Sequence, residues 1–213
     1  MLETKFRDKL AFNIYTEIQK IRMEKGYLTR SEREQLKQIL DKNYKPTFIK
    51  DEPFKGKKIV TNINELHIPC QKVEKGEDIS QILKDLKDTL DRVGGLGLSA
   101  NQIGINKAIS YLRFPRMNDK TKKIEMIEYY IINPKIQSKI SPFVMKEKCL
   151  SLPGLEIQTM RYRFIVVYAV DEHFKEKTIL AKDLEAIVLN HEIDHLYGKT
   201  IIDRKYFDRN RRK

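Results

Sequence analysis

The chain has 213 residues, enough for one good-sized core with an appendage and short of two full domains. Apolar residues at 40%, with ten Tyr and nine Phe, indicate a folded protein, and charged residues at 34% a heavily solvated surface. A formal net charge of +12 favours encounters with nucleic acid, ribosomes or acidic membranes without identifying any of them, and no apolar run reaches membrane-spanning length.

Charged residues begin at Glu3 and Lys5, with Asp8 and Glu17 close behind and no apolar stretch among them. That is neither a secretory signal nor an acid-poor transit peptide, so a cytoplasmic location is expected. The two cysteines, Cys70 and Cys149, are too few for a disulfide scaffold, and each thiol is read on its own.

In chain order, Phe6, Leu10, Ile14, Ile18 and Ile21 recur at helical spacing. A second helix is predicted from Thr29 or Ser31, each with a glutamate three residues on as in a capping box, through Leu36, Ile39 and Leu40. Together they predict a basic helical hairpin around Gly26. From Asn43 to Lys58 the periodicity stops and Pro46, Pro53, Gly56 and many lysines read as a linker. The expected organisation is therefore a helical extension and linker over 1–58, the main domain over 59–205 and a short basic tail over 206–213.

Within the main domain, Ile59 to Val73 predicts short extended segments and turns. Ile79, Ile82, Leu83, Leu86, Leu90 and Val93 share one face of a helix predicted over Asp78 to Val93. It runs into Gly94-Gly95-Leu96-Gly97-Leu98-Ser99-Ala100-Asn101-Gln102, whose glycines mark a tight loop where something approaches the backbone closely. Strands are predicted at Ala108 to Phe114, Glu125 to Ile132, Phe143 to Glu147, Leu155 to Gln158, Arg163 to Val170 and Thr178 to Ala181, with Asn133-Pro134 and Ser141-Pro142 as punctuation. A helix, then strands, then a helix indicates an α+β fold with antiparallel β-sheets, not alternating βαβ units.

The last helix carries the chemistry. His191-Glu192-Ile193-Asp194-His195 sets two imidazoles four residues apart on one helical face, with a glutamate beside the first that can handle a proton. Leu184, Ile187, Val188, His191 and His195 form the apolar stripe, and Gly198 follows where a left-handed C-cap falls. Two histidines on such a stripe need a partner, and a metal ion supplies one.

A catalytic site of this kind takes three protein ligands and keeps one position open. Downstream, an extended histidine pattern would need histidine where Ile201 stands, leaving only Asp203 and Asp208. Upstream lie His67, Cys70, Cys149 and His173. Of these, Cys149 ends a predicted strand in a turn, from which a side chain can reach a neighbouring helix. Spacing alone does not choose among them.

Three separated stretches together resemble the peptide deformylase family, whose motifs G-x-G-L-A-A-x-Q, E-G-C-L-S and H-E-x-x-H occur in this order. Here they read Gly95-Leu96-Gly97-Leu98-Ser99-Ala100-Asn101-Gln102, Glu147-Lys148-Cys149-Leu150-Ser151 and His191-Glu192-Ile193-Asp194-His195. The likeness covers about Ile59 to Asp203. It implies that Cys149, His191 and His195 hold one divalent metal ion, Fe(II) first, with Zn(II), Ni(II) or Co(II) able to substitute. It implies that hydroxide generated at the metal attacks the formyl carbon of N-formylmethionyl peptides, that Glu192 handles the proton, and that Gln102 and the Leu150 N–H stabilise the oxyanion. Gly97 would approach substrate through its backbone, Leu96, Met145, Leu184, Ile187 and Val188 would line the methionine pocket, and Arg161 would hold Glu147.

The chain departs from those motifs at Lys148, which replaces a glycine beside the proposed ligand, and at Ser99, which replaces an alanine in what reads as a small change. Little chain remains after the motif helix for a C-terminal helix, and residues 1–58 are additional to the family pattern. Their basic face is compatible with packing on the domain or with contact to the ribosome. Two alternatives stand beside deformylation: another metal-dependent amidase or peptidase, and a ribosome- or RNA-docking protein with a weakened site.

Overall fold

The structure is a computed structural model that describes residues 56–117 and 124–207. The chain divides into two units, the second of which is Pro53–Phe114 with Glu128–Lys213. The predicted N-terminal hairpin lies outside the described residues, as do most of the linker and the tail. The second unit carries the elements that matter for function.

It begins with a one-turn helix, α1 (Ile63–Leu66), capped by the Asn62 side chain, which accepts from the Asn64 N–H at 3.1 Å. Four residues are too few to show a period, so this turn was not foreseen within a stretch read as extended. α2 (Ser80–Val93) follows, with the Asp78 carboxylate accepting from the Ser80 N–H at 3.0 Å. Its Leu86 and Leu90 are fully buried in a core shared with Leu98, Ile109, Tyr111 and Ile132. Gly94, in the left-handed region at φ 77°, ends the helix and donates its N–H to Leu90.

The expected loop after α2 contains two short elements, β1 (Gly97–Ser99) and a 3-10 turn over Ala100–Ile103. β2 (Ile109–Met117), β3 (Ile124–Cys149), β4 (Leu152–Val170) and β5 (Glu176–Lys182) complete one five-stranded sheet in the order β1-β2-β3-β4-β5. β1 pairs with β2, β3 with β4 and β4 with β5, each antiparallel. The α+β class holds, with one antiparallel sheet among the described residues.

The strand pieces read separately from sequence are also continuous. β3 passes through both Asn-Pro and Ser-Pro steps, taking positive φ at Asn133 (50°) and Ser141 (59°), with register shifts between Ile132 and Lys135 and between Ile136 and Ser138. A proline cannot donate to the ladder, yet β3 continues through both steps.

α3 (Asp183–Leu196) then packs against the sheet and is buried on most of its circumference. Val188 and His195 of the predicted stripe are buried, whereas Leu184, Ile187 and His191 are only partly buried, His191 with 13% of its side chain exposed, because they form the wall of a cleft. Ala186, Leu189, Ile193 and Leu196 seat the helix on the core. Gly198 takes φ 65°, and a Cβ there would come within 2.5 Å of the His67 carbonyl oxygen, which explains glycine at the turn that follows α3.

Candidate active site

His191 and His195 project from the same side of α3, their ring centroids 5.0 Å apart. Cys149, the last residue of β3, brings its Sγ to 3.2 Å from His195 Nε2. One donor atom from each of Cys149, His191 and His195 falls within 4.8 Å of the others. Donors around a tetrahedral ion sit roughly 3.5 Å from one another, so a small closure completes the set. A soft thiolate with two imidazoles suits Fe(II), Zn(II), Co(II) or Ni(II), and the residues present fit such an ion. Among the described residues, this is the only such cluster able to hold a metal.

Burial by itself would lower the pKa of His191, but hydrogen bonds to Cys149 and Glu147 and the charge of Glu192 raise it to about 10. Burial drives His195 the other way, well below its ordinary range, helped by the charge of His191. Two desolvated imidazoles side by side are not both readily charged, and their pKa values move apart.

Glu192 is buried and its carboxyl raised, chiefly by desolvation. Ser99 donates its hydroxyl to Glu192 Oε2 at 2.7 Å and lies 2.8 Å from the Ser110 hydroxyl. Gly97 faces the same carboxylate: a Cβ there would lie 2.5 Å from Glu192 Oε1. Glycine at this position is therefore demanded by close approach.

Gln102 is oriented by its own 3-10 turn. Its Oε1 accepts from the Ser99 N–H at 2.9 Å, which points its Nε2 toward Ser151 Oγ at 3.2 Å and Cys149 Sγ at 3.7 Å. The amide thus presents a fixed N–H edge beside the ligand cluster. Asn101, its neighbour, donates to the His195 carbonyl at 2.7 Å and ties the turn to α3.

Beneath the cluster lies a buried ionic network. Arg161, 1% exposed, donates through Nε to Glu147 Oε2 at 2.8 Å and through NH1 to Asp194 Oδ2 at 2.6 Å. Thr159 adds a hydrogen bond to Glu147 at 2.7 Å, and Arg204 grips Asp194 at 3.0 and 2.5 Å. Burial alone would raise the Glu147 carboxyl, but His191 and Arg161 override it and hold it at about 2. Glu147 Oε1 lies 3.6 Å from His191 Nδ1, so the network reaches a candidate ligand from behind.

A cleft of about 390 Å³ opens over this floor. Leu96, Met145, Leu150, Leu184, Ile187 and Val188 supply its apolar lining, and Gly97, Gln102, Glu147, Cys149, His191 and Glu192 also border it. The other sequence candidates lie elsewhere. His67 pairs with Asp203 at 3.2 Å, and half-buried Cys70 has a thiol pushed up to about 11 by burial. His173 occupies the turn before β5.

Ser99, Thr159, Asp194 and Arg204 were not singled out from sequence as members of the site. Asp194 carried a signal: a carboxylate between two histidines on an almost wholly buried helix requires a cationic partner.

These features have close parallels in known proteins. The peptide deformylase of Elusimicrobium minutum is 42% identical over 125 residues, spanning 59% of this chain and 71% of that protein. That of Aquifex aeolicus is 33% identical over 148 residues, spanning 68% and 85%. Among solved structures, a peptide deformylase from Ehrlichia chaffeensis superposes with a TM-score of 0.63 at 33% identity, covering 70% of this chain and 87% of that one. One from Legionella pneumophila gives 0.62 at 30% identity, covering 71% and 86%. The family model described as polypeptide deformylase matches residues 57–212. On that match the chain belongs to the polypeptide deformylase family, hydrolases that remove the formyl group from the N-terminus of peptides.

Proposed function

We propose that the cleft hydrolyses N-formylmethionyl peptides with Cys149, His191 and His195 as metal ligands and Glu192 as the proton carrier. A divalent ion held by these three residues, Fe(II) first and Zn(II), Ni(II) or Co(II) as substitutes, supplies Lewis acidity and brings the pKa of a coordinated water toward neutrality. Support for the metal rests on the convergence of the three donor atoms within 4.8 Å on the floor of a cleft, with Glu192 beside them.

Glu192 takes a proton from the attacking water and delivers it to the departing amine. Burial and the Ser99 hydrogen bond keep its carboxylate in one orientation for both transfers. The Gln102 Nε2–H and the backbone N–H of Leu150 face the formyl oxygen as charge develops there, where one preorganised donor contributes about 3 kcal/mol. Leu96, Met145, Ile187 and Val188 receive the methionine side chain, and the backbone at Gly97 lies alongside the substrate. Arg161 holds Glu147, which in turn steadies His191.

No helix of the described residues is long and apolar enough to cross a membrane. Action on nascent chains in the cytoplasm agrees with this reading. Metal analysis with formate release tests it: wild-type protein purified without oxygen should carry one metal per chain and deformylate formyl-Met-Ala-Ser. Cys149→Ala should lose both metal and activity. Retention of metal in that variant would remove Cys149 from the ligand set.

A further inference from the structure

The charged residues that border the cleft divide by depth. Its two acids face inward and are engaged, Glu147 with Arg161 and Thr159, Glu192 with Ser99. The remaining charges are Lys146 and Lys148, both exposed at the rim. Lys146 pairs with Glu156 across the β3–β4 hairpin at 2.8 Å. Lys148 stands opposite Glu156 in the ladder, yet its ammonium makes no ion pair among the described residues. The rim thus presents, among the described residues, an exposed ammonium that is in no ion pair, between two buried neighbours, Glu147 and Cys149.

A substrate whose formyl carbon reaches the Cys149, His191 and His195 cluster, and whose methionine fills the apolar wall, must lead its following residues out through the mouth of the cleft. The geometry points to Lys148 as a substrate-selecting residue that favours formyl-methionyl peptides with an acidic side chain at the second or third position over those with a basic one. The inference rests on the deformylase reading and on the position of Lys148, where the family motif has glycine and offers no charge. Four methylenes let the ammonium follow a carboxylate at either position, while a lysine or arginine there meets like charge. Because the rim is solvated, the effect is modest: an exposed pair shifts binding by up to about fivefold, and salt erodes it.

The test compares formate release from formyl-Met-Asp-Ala, formyl-Met-Ala-Ala and formyl-Met-Lys-Ala at low and high salt, using wild type, Lys148→Gly and Lys148→Glu. Release from the alanine peptide reads deformylation itself, and the Asp-to-Lys ratio of kcat/KM reads the selection. The expected ratio is about fivefold in wild type, near one in Lys148→Gly and inverted in Lys148→Glu, with the wild-type preference fading at high salt. A wild-type ratio near one, or a preference that survives Lys148→Glu, overturns the assignment of Lys148 and leaves deformylation standing. No release from any of the three peptides overturns both.

Discussion

The Ser99 hydroxyl donates to Glu192 Oε2 at 2.7 Å, joining β1 to the helix that carries both candidate histidine ligands. From sequence, serine in place of the family alanine read as a small change. In the fold it is a fully buried contact to the residue assigned to proton transfer, with Ser110 as a further partner. A hydrogen bond to a charged group contributes about 2 kcal/mol. Ser99→Ala should therefore lower kcat by about thirtyfold while leaving KM and metal content near wild type. Steady-state formate release measures this, and an unchanged kcat would show that Glu192 keeps its orientation without Ser99.

Gly97→Ala probes the same carboxylate from the other side. The added Cβ would sit 2.5 Å from Glu192 Oε1, inside van der Waals contact, so either the strand or the glutamate must move. A displacement near 1 Å at a reacting group costs about 100-fold in rate. Comparable circular dichroism and metal content with a kcat/KM loss of that order is the expected outcome.

Arg161 serves two carboxylates, and its removal leaves Glu147 and Asp194 buried with fewer partners. Breaking a buried pair from one side costs about 3–5 kcal/mol. Arg161→Leu should lower the unfolding free energy obtained from urea denaturation by that amount. Near-native stability would mean that Thr159 and Arg204 suffice for the two acids.

The same network predicts acid lability. Glu147 is held at about 2 against an ordinary 4.5, and Asp194 is likewise depressed: burial opposes both, and their cationic partners prevail. Carboxyls with depressed folded-state values contribute stability that is complete above the unfolded carboxyl range and drains away as pH falls toward the folded values. For Glu147 this amounts to about 3 kcal/mol between roughly pH 5 and 2. Urea midpoints across that window should fall with pH in wild type, and less steeply in Glu147→Gln. Equal slopes for the two proteins would contradict the assignment.

How much of this was legible in the sequence depends on the length of the pattern. α2 and α3 announced themselves through apolar residues three and four apart, and the two histidines through the same periodicity. Cys149 was different: a lone thiol at a strand end has no period, and only its place between two other family motifs singled it out. The continuity of β3 was hidden because Asn133-Pro134 and Ser141-Pro142 read as stops, although asparagine tolerates the left-handed region and a strand can bend around a missing N–H. The pairing of Asp194 with Arg161 and Arg204 was not foreseen, since which cation meets a buried carboxylate is a property of tertiary packing. Ser99 was discounted for the same reason: nothing local shows that its hydroxyl faces Glu192 from 93 residues away.

The central claim is that Glu192 moves the proton beside a metal held by its neighbours. Its most direct test is formate release from a formyl-Met tripeptide by oxygen-free Fe(II)-loaded wild type and Glu192→Gln, each with metal content measured in parallel. The account predicts one metal per chain in both proteins and loss of formate release in the variant alone by at least about 100-fold. Glu192→Gln that keeps its metal and releases formate at the wild-type rate would contradict it.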